Sequence, residues 1–103
     1  MTWHPTVQGQ LWLGDLDAMP AGAFQFEADD TGLLFMCPCG QDHLCCLGFR
    51  GKTPPERPSW IWDGNRDHPT LLPSIRHLTG CKWHGFLTAG VWIPCSDSGM
   101  WGT

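Results

Sequence analysis

No stretch of this sequence approaches the roughly 20 consecutive apolar residues that a bilayer-spanning helix needs. The longest apolar runs, Gly32 to Cys37 and Leu44 to Phe49, are a fraction of that length, which excludes helical transmembrane and pore functions. The segment Met1 to Gly14 has neither a basic start nor an apolar core of about 7 to 15 residues, so no secretory leader is expected and the cytoplasm is the expected compartment. Charge is scarce at 16%, and Lys and Arg are missing from the first 49 residues. All six basic residues (Arg50, Lys52, Arg57, Arg66, Arg76, Lys82) fall in the middle of a chain whose net charge is -4. A nucleic-acid-binding domain clusters Lys and Arg at high pI, so this charge pattern does not point to nucleic acid as a partner. Tyrosine is absent, and neither an internal repeat nor a low-complexity tract appears.

What the sequence does have is glycine, proline and short apolar segments. Thirteen Gly and nine Pro in 103 residues leave little room for long helices, yet 42% hydrophobic content is too high for a disordered chain. One domain over residues 1–103 is expected, mainly β with little helix. Residues 1–22 read as an N-terminal arm. Phe24 and Phe26 alternate with Gln25 and Glu27, Leu33 to Met36 is a short continuous apolar strand, and His43 to Phe49 is its return strand. The three prolines of residues 50–59 make that stretch a loop. Trp60 to Trp62 is a short strand, Pro69 and Pro73 restrict Thr70 to Ile75 to a sheet edge or extended loop, and Phe86 to Ile93 is a hairpin turning at Ala89 and Gly90.

The six cysteines carry the strongest chemical signal, because thiols in a reducing compartment bind metal or do redox chemistry more readily than they pair. Cys37 and Cys39 flank a proline at a strand end, and i and i+2 point to one side there. Cys81 and His84 form a second close pair. Three sulfurs and one imidazole suit tetrahedral zinc, so Cys37, Cys39, Cys81 and His84 are the expected ligands of a closed, structural zinc site. His43, Cys45, Cys46 and Cys95 are rival ligands, with Cys45 and Cys46 facing opposite sides of their strand. His4, His68 and His77 show no partner spacing.

The segments FMCPCG, WIWDGNRDHPTLLPSI and GCKWHGFLTAGVW, in that order, resemble a family of small bacterial and phage proteins of unknown function. The resemblance implies metal binding through the Cys and His motifs and, for some members, genes adjacent to ubiquitin-like conjugation systems. Similar chains often carry an ammonia monooxygenase label, for which this sequence has neither a membrane span nor a copper site. CKWHGF is also similar to the second ligand box of Rieske proteins, which implies a zinc-stabilised β-sandwich or a Rieske/rubredoxin-like pair of ligand hairpins. It also makes a [2Fe-2S] electron carrier the main alternative to zinc.

Seven Trp are more than a small core needs, and Trp60 with Trp62 could either cover the core or frame a groove for another protein. A catalytic apparatus is not visible. Ser74 lacks the Gly-flanked elbow of a serine hydrolase, Cys45 with His43 lacks a third orienting group, and four protein ligands leave a metal no open position. The expected function is therefore that of a non-catalytic zinc protein that contacts a protein partner through Trp60 and Trp62. A redox carrier and a cysteine-dependent enzyme are the competing readings.

Overall fold

The computed structural model describes residues 6–40, 43–77 and 81–98. Their architecture is mainly β, two antiparallel-rich sheets packed face to face, with only two short 3-10 turns of helix among the described residues. The strands are β1 (Val7–Gln8), β2 (Gln10–Leu11), β3 (Ala23–Phe26), β4 (Gly32–Met36), β5 (Leu44–Phe49), β6 (Ser59–Trp62), β7 (Leu71–Leu72), β8 (Ile75–Arg76), β9 (His84–Thr88) and β10 (Val91–Pro94). One sheet runs β1-β10-β9-β8 and the other β2-β3-β4-β5-β6-β7. No helix among the described residues is long and apolar enough to cross a membrane.

The strands follow from period-two alternation. In β9, Gly85 and Leu87 are buried while Phe86 and Thr88 are exposed, and in β4 and β5 the residues Leu33, Phe35, Leu47 and Phe49 turn inward. The core between the sheets is built on Trp83 and Trp92, both fully buried and meeting edge to face at 5.8 Å, with Phe24, Phe35, Leu71, Ile75 and Leu87 around them. Trp92 donates its indole N–H to the Gly22 carbonyl at 2.7 Å, which satisfies the one polar atom of a ring otherwise immersed in carbon. The β9–β10 hairpin turns through Ala89 at φ 48° and Gly90 at φ 79°, the paired positive φ that a two-residue turn matched to strand twist requires.

The N-terminal segment expected as an arm instead supplies an edge strand to each sheet. Gly9 joins them, and its absent side chain is the reason this works. A Cβ there would lie 2.5 Å from the Gly90 carbonyl oxygen, which accepts the Gly9 N–H at 2.8 Å. The chain changes sheets again between β7 and β8, the outer strands of the two sheets, across Pro73 and Ser74. That second crossing places Ser74 on the seam where the two sheet edges meet.

Candidate functional site

The hairpin formed by β8 and β9 carries two groups of reactive side chains. Its register pairs Ile75 with Gly85 and Arg76 with His84. On the other side of β9, Pro94 pairs with Gly85, and the next rung is closed by the Cys95 N–H donating to the His84 carbonyl at 2.7 Å. Alternation then decides the faces. Ile75 and Trp83 point into the core, which leaves Ser74, Arg76, His84, Cys95 and Asp97 together on the outer face. Ser74 stands diagonally across from His84, within the reach of a long side chain.

On that face Asp97 Oδ1 lies 2.7 Å from His84 Nδ1, and Ser74 Oγ lies 3.1 Å from His84 Nε2. A carboxylate only accepts, so Nδ1 carries the proton it donates to Asp97, and Nε2 is left to accept the Ser74 hydroxyl. The His84 hydrogen bond, before the nearby Arg76, holds the Asp97 carboxyl below its ordinary range. Arg76 Nη2 meets the other carboxylate oxygen at 3.2 Å, and the Trp60 indole donates to the Ser74 carbonyl at 3.2 Å. His84 is further fixed by its backbone N–H, which donates to Ser98 Oγ at 3.0 Å. The His84 side chain is 14% exposed and that of Asp97 43%, so the group lies open to a large ligand. A hydroxyl, an imidazole and a carboxylate in that order form the arrangement of an activated serine nucleophile. Cys95 borders it, with Sγ 3.9 Å from His84 Nε2 and a thiol pushed up by burial.

The second group sits at the turn end of the same hairpin and at the end of β4. Cys37, fully buried, donates its backbone N–H to the His43 carbonyl at 2.8 Å, while the Pro38 to Gly40 turn swings Cys39 back toward it. Cys37, Cys39 and Cys81 bring their sulfurs within 4.8 Å of one another. His77 Nδ1 lies 3.6 Å from Cys37 Sγ and 3.5 Å from Cys81 Sγ, and the two sulfurs are 3.6 Å apart. Bonds of ~2.3 Å to sulfur and ~2.0 to 2.1 Å to nitrogen give tetrahedral edges of about 3.6 to 3.8 Å, so these donors fit a single ion. On the far side of the ring, Cys45 Sγ lies 3.6 Å from His77 Nε2, where it orients the imidazole. The Cys45 hydrogen bond and then burial push the Cys37 thiol up to about 11, and contact with Cys37 draws His77 up to about 9.

The structure thus brings Cys37, Cys39 and Cys81 together and places His84 elsewhere, with Cys95 and Asp97. Cys81 and His84 are an odd number of residues apart, and β9 directs Trp83 into the core, so the His84 ring emerges on the outer face instead of at the cluster. The histidine next to Cys37 and Cys81 is His77 instead. Of the rival ligands, Cys46 is exposed, Cys45 lies behind His77, Cys95 borders His84, and neither His43 nor Cys46 joins either group among the described residues. Trp60 and Trp62 are half-buried on β6. Trp62 stacks on Phe49 at 5.0 Å, and Trp60 anchors the Ser74 carbonyl.

A family model described as bacterial ubiquitination-like system serine protease (BubE) matches residues 13–95. The chain belongs to the BubE family. The match includes Ser74 and His84 and ends two residues before Asp97. No curated protein and no solved structure matches the chain. Membership in BubE ties the chain to bacterial ubiquitination-like systems, which is the setting that the resemblance of its three motifs implies.

The sequence reading missed Ser74, Asp97 and His77 for different reasons. Ser74 lacks the glycine elbow of a serine hydrolase, and its place at the crossing from one sheet edge to the other is set by the strand order alone. Asp97 has no local signal beyond lying two residues past Cys95. His77 did leave one, since it precedes Cys81 by four residues, a spacing as compatible with a shared ion as that of Cys81 and His84.

Proposed function

We propose that this BubE protein is a serine protease of a bacterial ubiquitination-like system, with Ser74 as nucleophile, His84 as general base and acid, and Asp97 as the group that orients His84. The observation that carries the reading is the continuous pair of contacts, Ser74 Oγ to His84 Nε2 at 3.1 Å and His84 Nδ1 to Asp97 Oδ1 at 2.7 Å. The family description supports it independently. This reading replaces the expectation of a non-catalytic factor, which rested on a closed metal site, on the lack of a visible catalytic group and on the Trp60 and Trp62 surface. The partner expected at Trp60 and Trp62 becomes the protein substrate, because Trp60 borders the nucleophile and Leu72 beside it is 51% exposed on a sheet edge.

In the mechanism, Ser74 Oγ attacks a peptide carbonyl while His84 Nε2 takes its proton. Asp97 stabilises the resulting imidazolium, with Arg76 holding the second carboxylate oxygen. His84 then returns the proton to the leaving amine, and a water molecule attacks the acyl group on Ser74 with His84 again as base.

The second part of the proposal is a structural zinc held by Cys37, Cys39, Cys81 and His77. Three thiolates converging on one point favour a single ion over a [2Fe-2S] cluster, which divides its ligands between two irons. The zinc takes no part in the chemical steps. By joining His77, which follows β8, to Cys81, which precedes β9, it holds the register that faces Ser74 with His84.

A fluorophosphonate probe, which reacts with activated serines, tests the first part. The parent is labelled at Ser74, and Ser74→Ala abolishes labelling and peptide hydrolysis with its circular dichroism spectrum and metal content unchanged. Labelling that survives in Ser74→Ala, or none in a folded, metal-loaded parent, defeats the assignment.

A further inference from the structure

Cys95 plays no part in the proposed hydrolysis, yet it is the next residue around the same imidazole. We infer that His84 Nε2, Cys95 Sγ and Ser74 Oγ form a second metal site, one that takes a thiophilic divalent cation such as Zn2+ and silences the triad from which it is built. The inhibitory half of the inference rests on the protease reading, whereas the metal-binding half rests on donor geometry alone.

Sulfur and hydroxyl oxygen approach one ring nitrogen, at 3.9 and 3.1 Å respectively. A tetrahedral ion with bonds of ~2.0 to 2.3 Å separates its donors by about 3.3 to 3.8 Å, so both contacts to His84 lie within a few tenths of an ångström of that spacing. His84, Cys95 and Asp97 are mutually within 4.8 Å. Asp97, receiving Nδ1–H at 2.7 Å, already forms the carboxylate–histidine contact that orients metal-ligating imidazoles and raises their basicity. The partner that prepares His84 as a base therefore also prepares it as a ligand.

The two metal sites differ in kind. The cluster at Cys37 has one fully buried thiol beside two half-buried ones, whereas His84, Cys95 and Asp97 are all only half-buried and leave a position for water, so an ion there exchanges with solvent. Nε2 has one lone pair. Given to a cation, it cannot accept the Ser74 proton, and hydrolysis stops until the ion leaves.

Titrating Co2+ into protein whose cysteine cluster is already loaded, then assaying hydrolysis against added Zn2+, tests both halves. In the parent a second equivalent is taken up with new thiolate-to-metal charge-transfer absorption, and Zn2+ inhibits reversibly on chelation. Losing even an outer partner of a metal ligand costs about 10- to 100-fold in affinity, so Cys95→Ala should raise the inhibitory Zn2+ concentration by at least about tenfold with uninhibited turnover retained. A parent that binds no second ion, or a folded Cys95→Ala variant that binds Co2+ and is inhibited as the parent is, overturns the site. A second ion bound through Cys95 in a protein without hydrolytic activity upholds the site and rejects the protease reading.

Discussion

The two ends of the β8–β9 hairpin use similar residues in opposite ways. At the turn end, His77 is enclosed by thiols, and its neighbour Cys37 is inaccessible to solvent. Three residues away along each strand, Ser74 and His84 face outward with Asp97 largely in water. Burial at one end favours permanent coordination, and partial exposure at the other favours reversible chemistry. Both lie along the same pair of strands, whose register sets Arg76 against His84.

Breaking the buried end has the largest expected effect. Structural zinc in small domains contributes an apparent ~10 to 16 kcal/mol coupled to folding, so stripping the metal or making Cys81→Ser should lower the melting temperature more than any other change, and hydrolysis with it. Cys95→Ser should leave the melt nearly unchanged. Elemental analysis with thermal unfolding measures both, and equal destabilisation by the two substitutions would show the ligand set to be wrong.

Breaking the open end should remove the proposed hydrolysis and leave the fold intact. Asp97→Asn leaves the hydrogen-bonding shape intact but favours the wrong His84 tautomer, so turnover should fall by about 10^4-fold with the melt unmoved. A fall of only a few-fold would mean that Asp97 does not orient the base.

Acid separates the ends more finely. In the metal-free protein Cys37 holds its proton up to about 11 and His77 up to about 9, so the ion must displace both protons. Metal uptake should release protons, and the loaded protein should lose metal and stability as the pH falls. For the metal-free protein the sign reverses. A raised His77 stabilises when protonated, an effect fully present below its ordinary value near 6.5 and lost as the pH rises through about 9. Unfolding followed against pH with and without chelator should therefore give slopes of opposite sign, and parallel slopes would remove His77 from the cluster.

The smallest effect belongs to Arg76. Its contact with Asp97 is exposed on both sides, and such ion pairs are worth ~0 to 1 kcal/mol. Arg76→Gln should slow turnover by no more than about fivefold, which a progress-curve assay resolves, with stability unchanged.

Much of this molecule is visible in its amino acids taken in order. Alternation in Phe24 to Phe26, the continuous Leu33 to Met36 strand, the prolines after Arg50 and the Ala89–Gly90 turn each act over a few residues, and each appears where those local rules put it. The shared position of Cys37 and Cys39 is equally local, because a strand end followed by a tight turn aims both at one point. What the chain order could not settle is how strands combine. Whether His77 or His84 joins Cys81 depends on which of them faces the core side of β8 and β9, and Trp83, buried by the opposing sheet, decides that. Ser74, His84 and Asp97 come from three successive segments whose side chains meet only after the β8–β9–β10 register is set. Their contacts span ten and thirteen residues and leave no periodic trace. Local backbone preference thus determined the strands and the first pair of thiols, while the packing of two sheets around Trp83 and Trp92 chose the partner of each histidine.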